Sequence, residues 1–277
     1  MIPKIIHYWW FGGNPLPDSA KKCIASWRKF FPDYEIWQWS EELLDDNSLS
    51  PTLPSREGGS VGKGKNLFDK IQVFDAKMIQ YTREAYEAKK YAFVSDYARF
   101  WILYKYGGLY FDTDVEVIKS MVDIVERGPF MGIEVAATNG RTPKVNPGIG
   151  LGVIPGIGLY KELLDKYATL HFINEDGSLN QATIVSYTTE VLQKNGLRPT
   201  NEIQEVAGVW IYPADYFNPL DSLTGRLNLS DNTRSIHWYM NSWSDTSKLY
   251  KMLSKLSHRL FGTKFSNSKI KSCIFKK

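Results

Sequence analysis

The 277-residue sequence contains only two cysteines, Cys23 and Cys273. Two thiols so far apart exclude a disulfide framework and suit a reducing compartment. Long apolar runs are missing too. No stretch approaches the ~18 residues that a membrane span needs. The opening Met1-Ile2-Pro3-Lys4-Ile5-Ile6-His7 reads as a strand, which excludes the charged region and long apolar core of a secretory leader. These absences predict a cytoplasmic protein, one that meets a membrane only peripherally, at the inner face of the plasma membrane. Charge of one sign is also scarce: 34 Lys and Arg against 30 Asp and Glu leave +4. That excludes nucleic-acid binding across the whole surface. No internal repeat is visible, so we expect one domain, residues 1–247, followed by a tail, residues 248–277.

Aromatic residues are what the sequence has in quantity, with nine Trp and sixteen Tyr. Large rings build cores, and they also stack on the flat faces of sugars and bases. The positive charge collects at one end. Nine Lys or Arg and no acid lie between Lys248 and Lys277, with Leu249, Met252, Leu253, Leu256 and Leu260 at helical spacing among them. A basic amphipathic tail of this kind suits an anionic membrane surface, or is simply a solvated helix.

Along the chain, Ile5 to Phe11 is an apolar run that ends at Gly12-Gly13 and predicts a buried strand. Asp18 or Ser19 caps a helix to about Phe31, and Tyr34–Trp39 is a second strand. Strand, helix, strand opens an α/β fold. Residues 45–66 read as a long loop, and helical pattern resumes near Leu67 and runs with breaks to Lys90. Ser95 caps a helix from Asp96 to about Tyr106, which Gly107-Gly108 terminates. A strand from Leu109 to Val117 follows. The glycine-rich run Asn146–Gly156 suggests backbone packed close to a ligand or another strand. Helices are expected at Leu159–Leu170 and Gln181–Lys194, and a last strand at Arg234–Trp238.

On the strand after Gly108, alternation turns Tyr110, Asp112 and Asp114 to one face. Two neighbouring carboxylates repel, and a hard cation between them removes that cost. Such an ion, Mn2+ or Mg2+, also neutralises the clustered oxygens of a diphosphate. An isolated Asp-x-Asp is weak by itself, since two solvated acids at a strand end look the same. Its context adds to it. Asp96 and Arg99 stand one helical turn apart on the preceding helix, and the Gly107-Gly108 return can bring them back along the acids. The pair there is either a structural ion pair or a phosphate-binding fork beside a carboxylate that accepts sugar hydroxyls.

Ser95-Asp96-Tyr97-Ala98-Arg99-Phe100-Trp101-Ile102-Leu103-Tyr104-Lys105-Tyr106-Gly107-Gly108-Leu109-Tyr110-Phe111-Asp112-Thr113-Asp114 resembles the signature of glycosyltransferase family 32. That group of DXD-containing sugar transferases includes yeast Golgi mannosyltransferases and bacterial capsule or lipopolysaccharide enzymes. The glucosylating domains of large clostridial toxins are more distant relatives. Ile6-His7-Tyr8-Trp9-Trp10-Phe11-Gly12-Gly13 is similar to the group's opening motif, and His237 with Asn241-Ser242-Trp243 to its closing one.

The resemblance implies a GT-A fold, a Rossmann-like α/β architecture whose mixed, mainly parallel sheet is flanked by helices. It implies retaining transfer of a hexose from a UDP- or GDP-sugar to a growing polysaccharide or lipid-linked oligosaccharide. Asp112 and Asp114 would hold metal and donor, with Tyr110 beside them. Asp96 and Arg99 would contact donor sugar and phosphate, Trp10 the base or ribose, and Trp243 the diphosphate. His237 would complete the metal shell, with Asn241 as the competing ligand. Asn180 and Gln181 are weaker candidates facing the reacting sugar carbon. Asn180 also fits an ordinary helix cap, and His237 a satisfied structural histidine. Gly59 to Lys65 nearly fits a phosphate-binding P-loop, but Asn66 replaces the hydroxyl residue that loop needs and no strand leads in. The rival readings are a non-catalytic carbohydrate- or nucleotide-binding protein and a membrane-associated scaffold built on the tail.

Overall fold

The computed structural model describes residues 1–10, 15–41, 69–138 and 140–240. Residues 11–13, the 45–66 loop with its P-loop-like run, Asn241, Ser242, Trp243, Cys273 and the 248–277 tail lie outside the described residues.

The chain begins with β1 (Ile5–Trp9), α1 (Asp18–Phe30) and β2 (Glu35–Glu41). β1 alternates cleanly: Ile6 and Tyr8 face one core, and Trp9 faces the other. α1 buries Ala20, Cys23, Ile24 and Trp27, the i, i+3, i+4, i+7 stripe of an amphipathic helix. Pro17 precedes α1 with no side-chain cap, and Asp18 is its first helical residue. Next come β3 (Lys70–Phe74), α2 (Gln80–Glu87), α3 (Tyr91–Tyr106), β4 (Gly108–Tyr110) and β5 (Val115–Val117). The second half contributes α4 (Val122–Arg127), β6 (Phe130–Val135), β7 (Lys144–Val153), α5 (Gly158–Ala168) and α6 (Ile184–Lys194). β8 (Gln204–Val206), β9 (Val209–Tyr212), α7 (Ala214–Phe217) and β10 (Ser235–His237) complete the described chain.

Eight strands form one sheet in the order β3-β2-β1-β4-β7-β6-β9-β8. From β3 to β4 every pair is parallel; β4–β7, β6–β7 and β8–β9 are antiparallel, and β6–β9 is parallel. β5 leaves this sheet and pairs antiparallel with β10. Helices α2, α3, α5 and α6 cover one face, with Trp39, Tyr110 and Leu151 in their core. α1 and α4 cover the other, with Trp27, Phe111 and Ile149. The mixed, mainly parallel sheet flanked by helices is therefore what the chain forms. No helix among the described residues is long and apolar enough to cross a membrane.

Several local expectations change. α3 starts at Tyr91, so Ser95 lies inside it and donates its hydroxyl to the Ala92 carbonyl (2.7 Å) rather than capping a terminus. The buried face continues upstream through Val94, and a serine tolerates a helix interior when it bonds back in this way. Residues 70–74 are a parallel strand beside β2, not helix. The expected Leu109–Val117 strand breaks in two. Val115 N–H bonds the Asp112 carbonyl (2.9 Å), and this turn sends the chain to a second sheet. α6 is capped by the Thr183 side chain, which accepts the Ser186 N–H, so Asn180 is not its cap.

Candidate functional site

The site is assembled where α3 meets β4. Gly107 and Gly108 have φ of +64° and +100°, a region that favours glycine, and a Cβ on Gly108 would lie 2.6 Å from the Ile5 carbonyl. The turn returns β4 alongside β1, with Leu109 opposite Ile6 and Tyr110 opposite His7. His7 fastens it. Its ring is fully buried, with Nε2 2.9 Å from the Gly107 carbonyl and Nδ1 accepting the Trp39 indole N–H at 3.1 Å. Those partners require a neutral ring with its proton on Nε2. Burial pulls its pKa down to about 4, against the smaller upward effect of the Gly107 carbonyl.

Arg99 is the hub. It is 4% exposed, and its Nη2 lies 3.3 Å from Asp96 Oδ1 while Nη1 reaches Asp112 Oδ2 at 3.3 Å. Nε donates to the Ser95 carbonyl (3.2 Å), and the guanidinium sits 4.8 Å above the Tyr110 ring. Burial opposes the charge, but Asp112, Tyr110 and Asp96 outweigh it and hold Arg99 above its ordinary pKa. Burial pushes the Asp96 carboxyl up to about 7, although Arg99 draws it back. Asp112 also accepts the Tyr110 hydroxyl at 3.2 Å, so Tyr110 and Asp112 do meet, although no strand continues between them.

Asp114 faces another part of the chain. Its Oδ1 is 3.3 Å from His237 Nε2, and its Oδ2 accepts the Met240 N–H at 2.9 Å. Burial works to raise Asp114; the His237 contact and the Met240 N–H overcome it and leave the carboxyl below its usual value. Burial likewise works to lower His237, and Asp114 reverses it, so the imidazole titrates above its ordinary value. Tyr239 lies tilted by 42° against the His237 ring, centroids 4.1 Å apart, from a φ of +50°, and its hydroxyl donates to Glu134 Oε1 (3.1 Å). Asn218 donates to the same hydroxyl at 2.8 Å.

β7 closes the floor. The Gly148 carbonyl accepts the Asp112 N–H (3.2 Å), and the Asn146 side chain accepts the Gly148 N–H (2.7 Å). A Cβ on Gly148 would collide with Asp112 Oδ2 and come 3.0 Å from Arg99 Nη1. The glycine-rich run thus lies against the acid, at Gly148. Asn146, Glu134, Asn218 and Tyr239 are neighbours that sequence reasoning missed. For Asn146 the signal was a lone polar residue opening an otherwise apolar and glycine run; the other three had none.

Of the residues singled out from sequence, Asp96, Arg99, Tyr110 and Asp112 form one contiguous knot, and Asp114 with His237 forms a second beside it. Trp10 follows directly on β1, half-buried, with its N–H on the Trp39 carbonyl (3.0 Å), at the strand's carboxyl end. Asn180 spends its side chain locally, on the His171 carbonyl, the Tyr187 hydroxyl and the Ala182 N–H, and Gln181 is exposed. Asn241 and Trp243 lie outside the described residues.

Among the described residues, no three His, Cys, Asp or Glu side chains gather as a ready-made metal cage. The donor chemistry still fits a hard divalent ion. Such ions are often held by one or two carboxylates together with substrate phosphates. Asp112 keeps 31% of its side chain exposed despite its partners, and Nδ1 of His237 is buried without a hydrogen-bond partner among the described residues.

Residues 17–131 match the family described as a glycosyltransferase sugar-binding region containing a DXD motif. Over 130 residues, 47% of this chain, the sequence is 26% identical to inositol phosphoceramide mannosyltransferase 1 of Schizosaccharomyces pombe. The chain spans about a third (33%) of that curated relative's length. Among solved structures it is similar to the PaToxG glycosyltransferase, at 15% identity over 70% of this chain and 69% of that one, with a TM-score of 0.46. It is also similar to the galactosyltransferase LgtC in complex with donor and acceptor sugar analogues, at 14% identity over 95% of both chains, with a TM-score of 0.41. The two acids and the helix that carries Arg99 thus lie within the stretch, residues 17–131, that matches the model of the DXD-containing glycosyltransferase sugar-binding region.

Proposed function

We propose that the protein is a retaining hexosyltransferase of the GT-A type, taking a hexose from a UDP- or GDP-sugar to a growing polysaccharide or lipid-linked oligosaccharide. The observation that carries this reading is the Arg99 hub. One buried cation joins Asp96, suited to sugar hydroxyls, to Asp112, suited to the diphosphate end, while Asp114 is held beside them by His237. The sheet supports it, because ligands in open α/β sheets bind beyond the carboxyl ends of the strands, where Trp10 and Asp112 stand.

Each residue then takes a role. Trp10 lies against the base or ribose. Arg99 faces a phosphate oxygen with its planar fork, and Asp96 accepts hydrogens from the sugar's hydroxyls. Tyr110 orients Asp112 through its hydroxyl. Asp112, Asp114 and His237 would hold Mn2+ or Mg2+, with Asn241 as the competing ligand, and the ion would supply Lewis-acid neutralisation of the departing diphosphate. Trp243 touches the diphosphate. Asn180 is committed to its own loop, which leaves Gln181 as the amide able to face the sugar. No carboxylate is placed as a nucleophile. The acceptor hydroxyl attacks the anomeric carbon from the side the diphosphate leaves. Its oxygen forms the new glycosidic bond, the carbon–phosphate-oxygen bond breaks, and the hydroxyl proton passes to the leaving phosphate. The basic tail carries the enzyme to an anionic membrane surface at the cytoplasmic side.

The test is a panel of UDP- and GDP-sugars incubated with the full chain and Mn2+, with nucleoside diphosphate release as the readout. Slow hydrolysis of one donor without acceptor is expected, and its loss in Asp114→Ala. Binding of a donor with no product over long incubation would mark the protein as a non-catalytic binder, and no binding to any donor would end the reading.

A further inference from the structure

Just past β10 the backbone takes an uncommon step. Tyr239 has a φ of +50°, a region in which a bulky side chain is strained. Lys89 and Ala207 are the other non-glycine residues found there among the described ones. Lys89 follows the end of α2, and Ala207 with Gly208 makes the two-residue loop between β8 and β9, so both sit in ordinary turns. Among the described residues, Tyr239 closes no hairpin and ends no helix. Strain kept where no turn requires it points to a task.

The residues on either side of Tyr239 show what the task is. Before it, His237 Nε2 lies 3.3 Å from Asp114 Oδ1, and the Trp238 N–H bonds the Asp114 carbonyl (3.0 Å). After it, the Met240 N–H donates to Asp114 Oδ2 (2.9 Å). The left-handed step at 239 turns that N–H back onto the same carboxylate that His237 already meets. The phenol holds the step in place. Its hydroxyl donates to Glu134 Oε1 (3.1 Å) and accepts from Asn218 Nδ2 (2.8 Å), and the same Asn218 nitrogen donates to the Glu134 carbonyl (3.1 Å). Both anchors are fixed elsewhere. Glu134 belongs to β6 in the large sheet, and Asn218 follows α7, with its N–H on the Ala214 carbonyl (2.7 Å). Tyr239 therefore ties the end of the small β5–β10 sheet to the large one.

We infer that Tyr239 is a positioning residue for Asp114: its hydroxyl, held by Glu134 and Asn218, keeps the left-handed step that brings the His237 ring and the Met240 N–H to the two oxygens of that acid. The inference rests on the metal-holding role proposed for Asp114 and His237. It extends that half-site to β6 and to the end of α7, which carry none of the acid motif. The Arg99 network around Asp112 lies outside its reach.

Tyr239→Phe removes the hydroxyl and keeps the ring. The first readout needs neither donor nor metal. Amide hydrogen exchange in the full chain, followed by NMR, should show the Met240 N–H exchanging about tenfold faster in the variant. The Ile118 N–H, bonded to the Arg234 carbonyl (2.8 Å) at the other end of the β5–β10 pairing, is the internal reference and should keep its rate. The second readout is Mn2+ alone, titrated into the full chain and followed by the electron paramagnetic resonance of the free ion. Its affinity should fall about tenfold, as when a group that orients a metal ligand is lost. A Met240 amide as protected as in the wild type overturns the inference. So does equal acceleration of Met240 and Ile118, because the hydroxyl would then only hold the small sheet together. Equal Mn2+ affinity in the two proteins overturns it as well. If Mn2+ binds neither protein while Met240 alone is loosened, the positioning of Asp114 stands and the metal-holding reading falls.

Discussion

Asp112 and Asp114 are two residues apart in sequence, yet different regions of the molecule hold them. Asp112 is gripped by neighbours in the chain: Arg99 from the helix before it and Tyr110 from the strand it follows. Asp114 is gripped by His237 and the Met240 N–H, more than a hundred residues later. The first grip is a buried charge network with one cation and two acids. The second is a single acid–imidazole pair at the edge of a small second sheet. A motif read as one unit is thus two half-sites, one built early in the chain and one that exists only when β10 has paired with β5.

The sharpest way to break this comparison is to remove each acid. Asp112→Ala and Asp114→Ala should each lower donor turnover by roughly a thousandfold, in the range seen when a group aimed at developing charge is deleted. Turnover that survived either change would separate that acid from the chemistry. Stability should then tell the halves apart. Arg99→Met leaves Asp96 buried with its cation gone and should cost about 3–5 kcal/mol in denaturant unfolding, as breaking a buried pair does. A smaller loss than that of His237→Ala would invert the comparison.

Two histidines extend it to pH. His7 is buried neutral with a pKa of about 4, so the unfolded chain binds its proton first and stability falls as pH drops from 6.5 toward 4. The shift corresponds to about 3 kcal/mol at full extent. Thermal melts of wild type and His7→Gln across that range should converge toward pH 4. His237 has the opposite sign. Its raised pKa adds stability that is complete below 6.5 and is lost as pH rises through the folded value. Asp114, lowered, adds stability present above 3.8 and lost as pH falls through its own folded value. His237→Ala should therefore erase a decline in melting temperature on the alkaline side of 6.5. Its effect on turnover is expected to be the smallest of the set, about ten- to a hundredfold, as for a group that supports a metal site. Melting curves with the same alkaline slope in wild type and variant would show that the pair contributes nothing.

The half-site that was legible is the one whose parts are close in sequence. Asp96, Arg99, the two glycines, Tyr110 and Asp112 lie within a single run, so helical and strand periodicity could place them together. Periodicity also misled there. Phe111, Val115 and Val117 continue the apolar alternation through the turn, so the strand seemed unbroken where the Val115 N–H closes on Asp112. Ser95 before Asp96 looked like a cap because a capping serine and a serine bonded back to the i−3 carbonyl have the same neighbours. β3 was read as helix because, as an edge strand, it leaves Ile71 and Val73 half-exposed, and its alternation sets no buried face against a polar one. For the second half-site, His237 came from resemblance alone. Met240 acts through its backbone, and Glu134, Asn218 and Tyr239 are joined by contacts that no local spacing encodes.

Gly148 sets a limit on how this site can change over time. Any side chain there would meet the Asp112 carboxylate and the Arg99 guanidinium at once. In a saturation library selected for function, position 148 should tolerate no replacement, while the flanking Pro147 and Ile149 admit several. A lineage that needs a differently shaped donor cavity cannot reach it by small steps at this floor. Variation must enter from the walls, around an acid whose seat stays fixed.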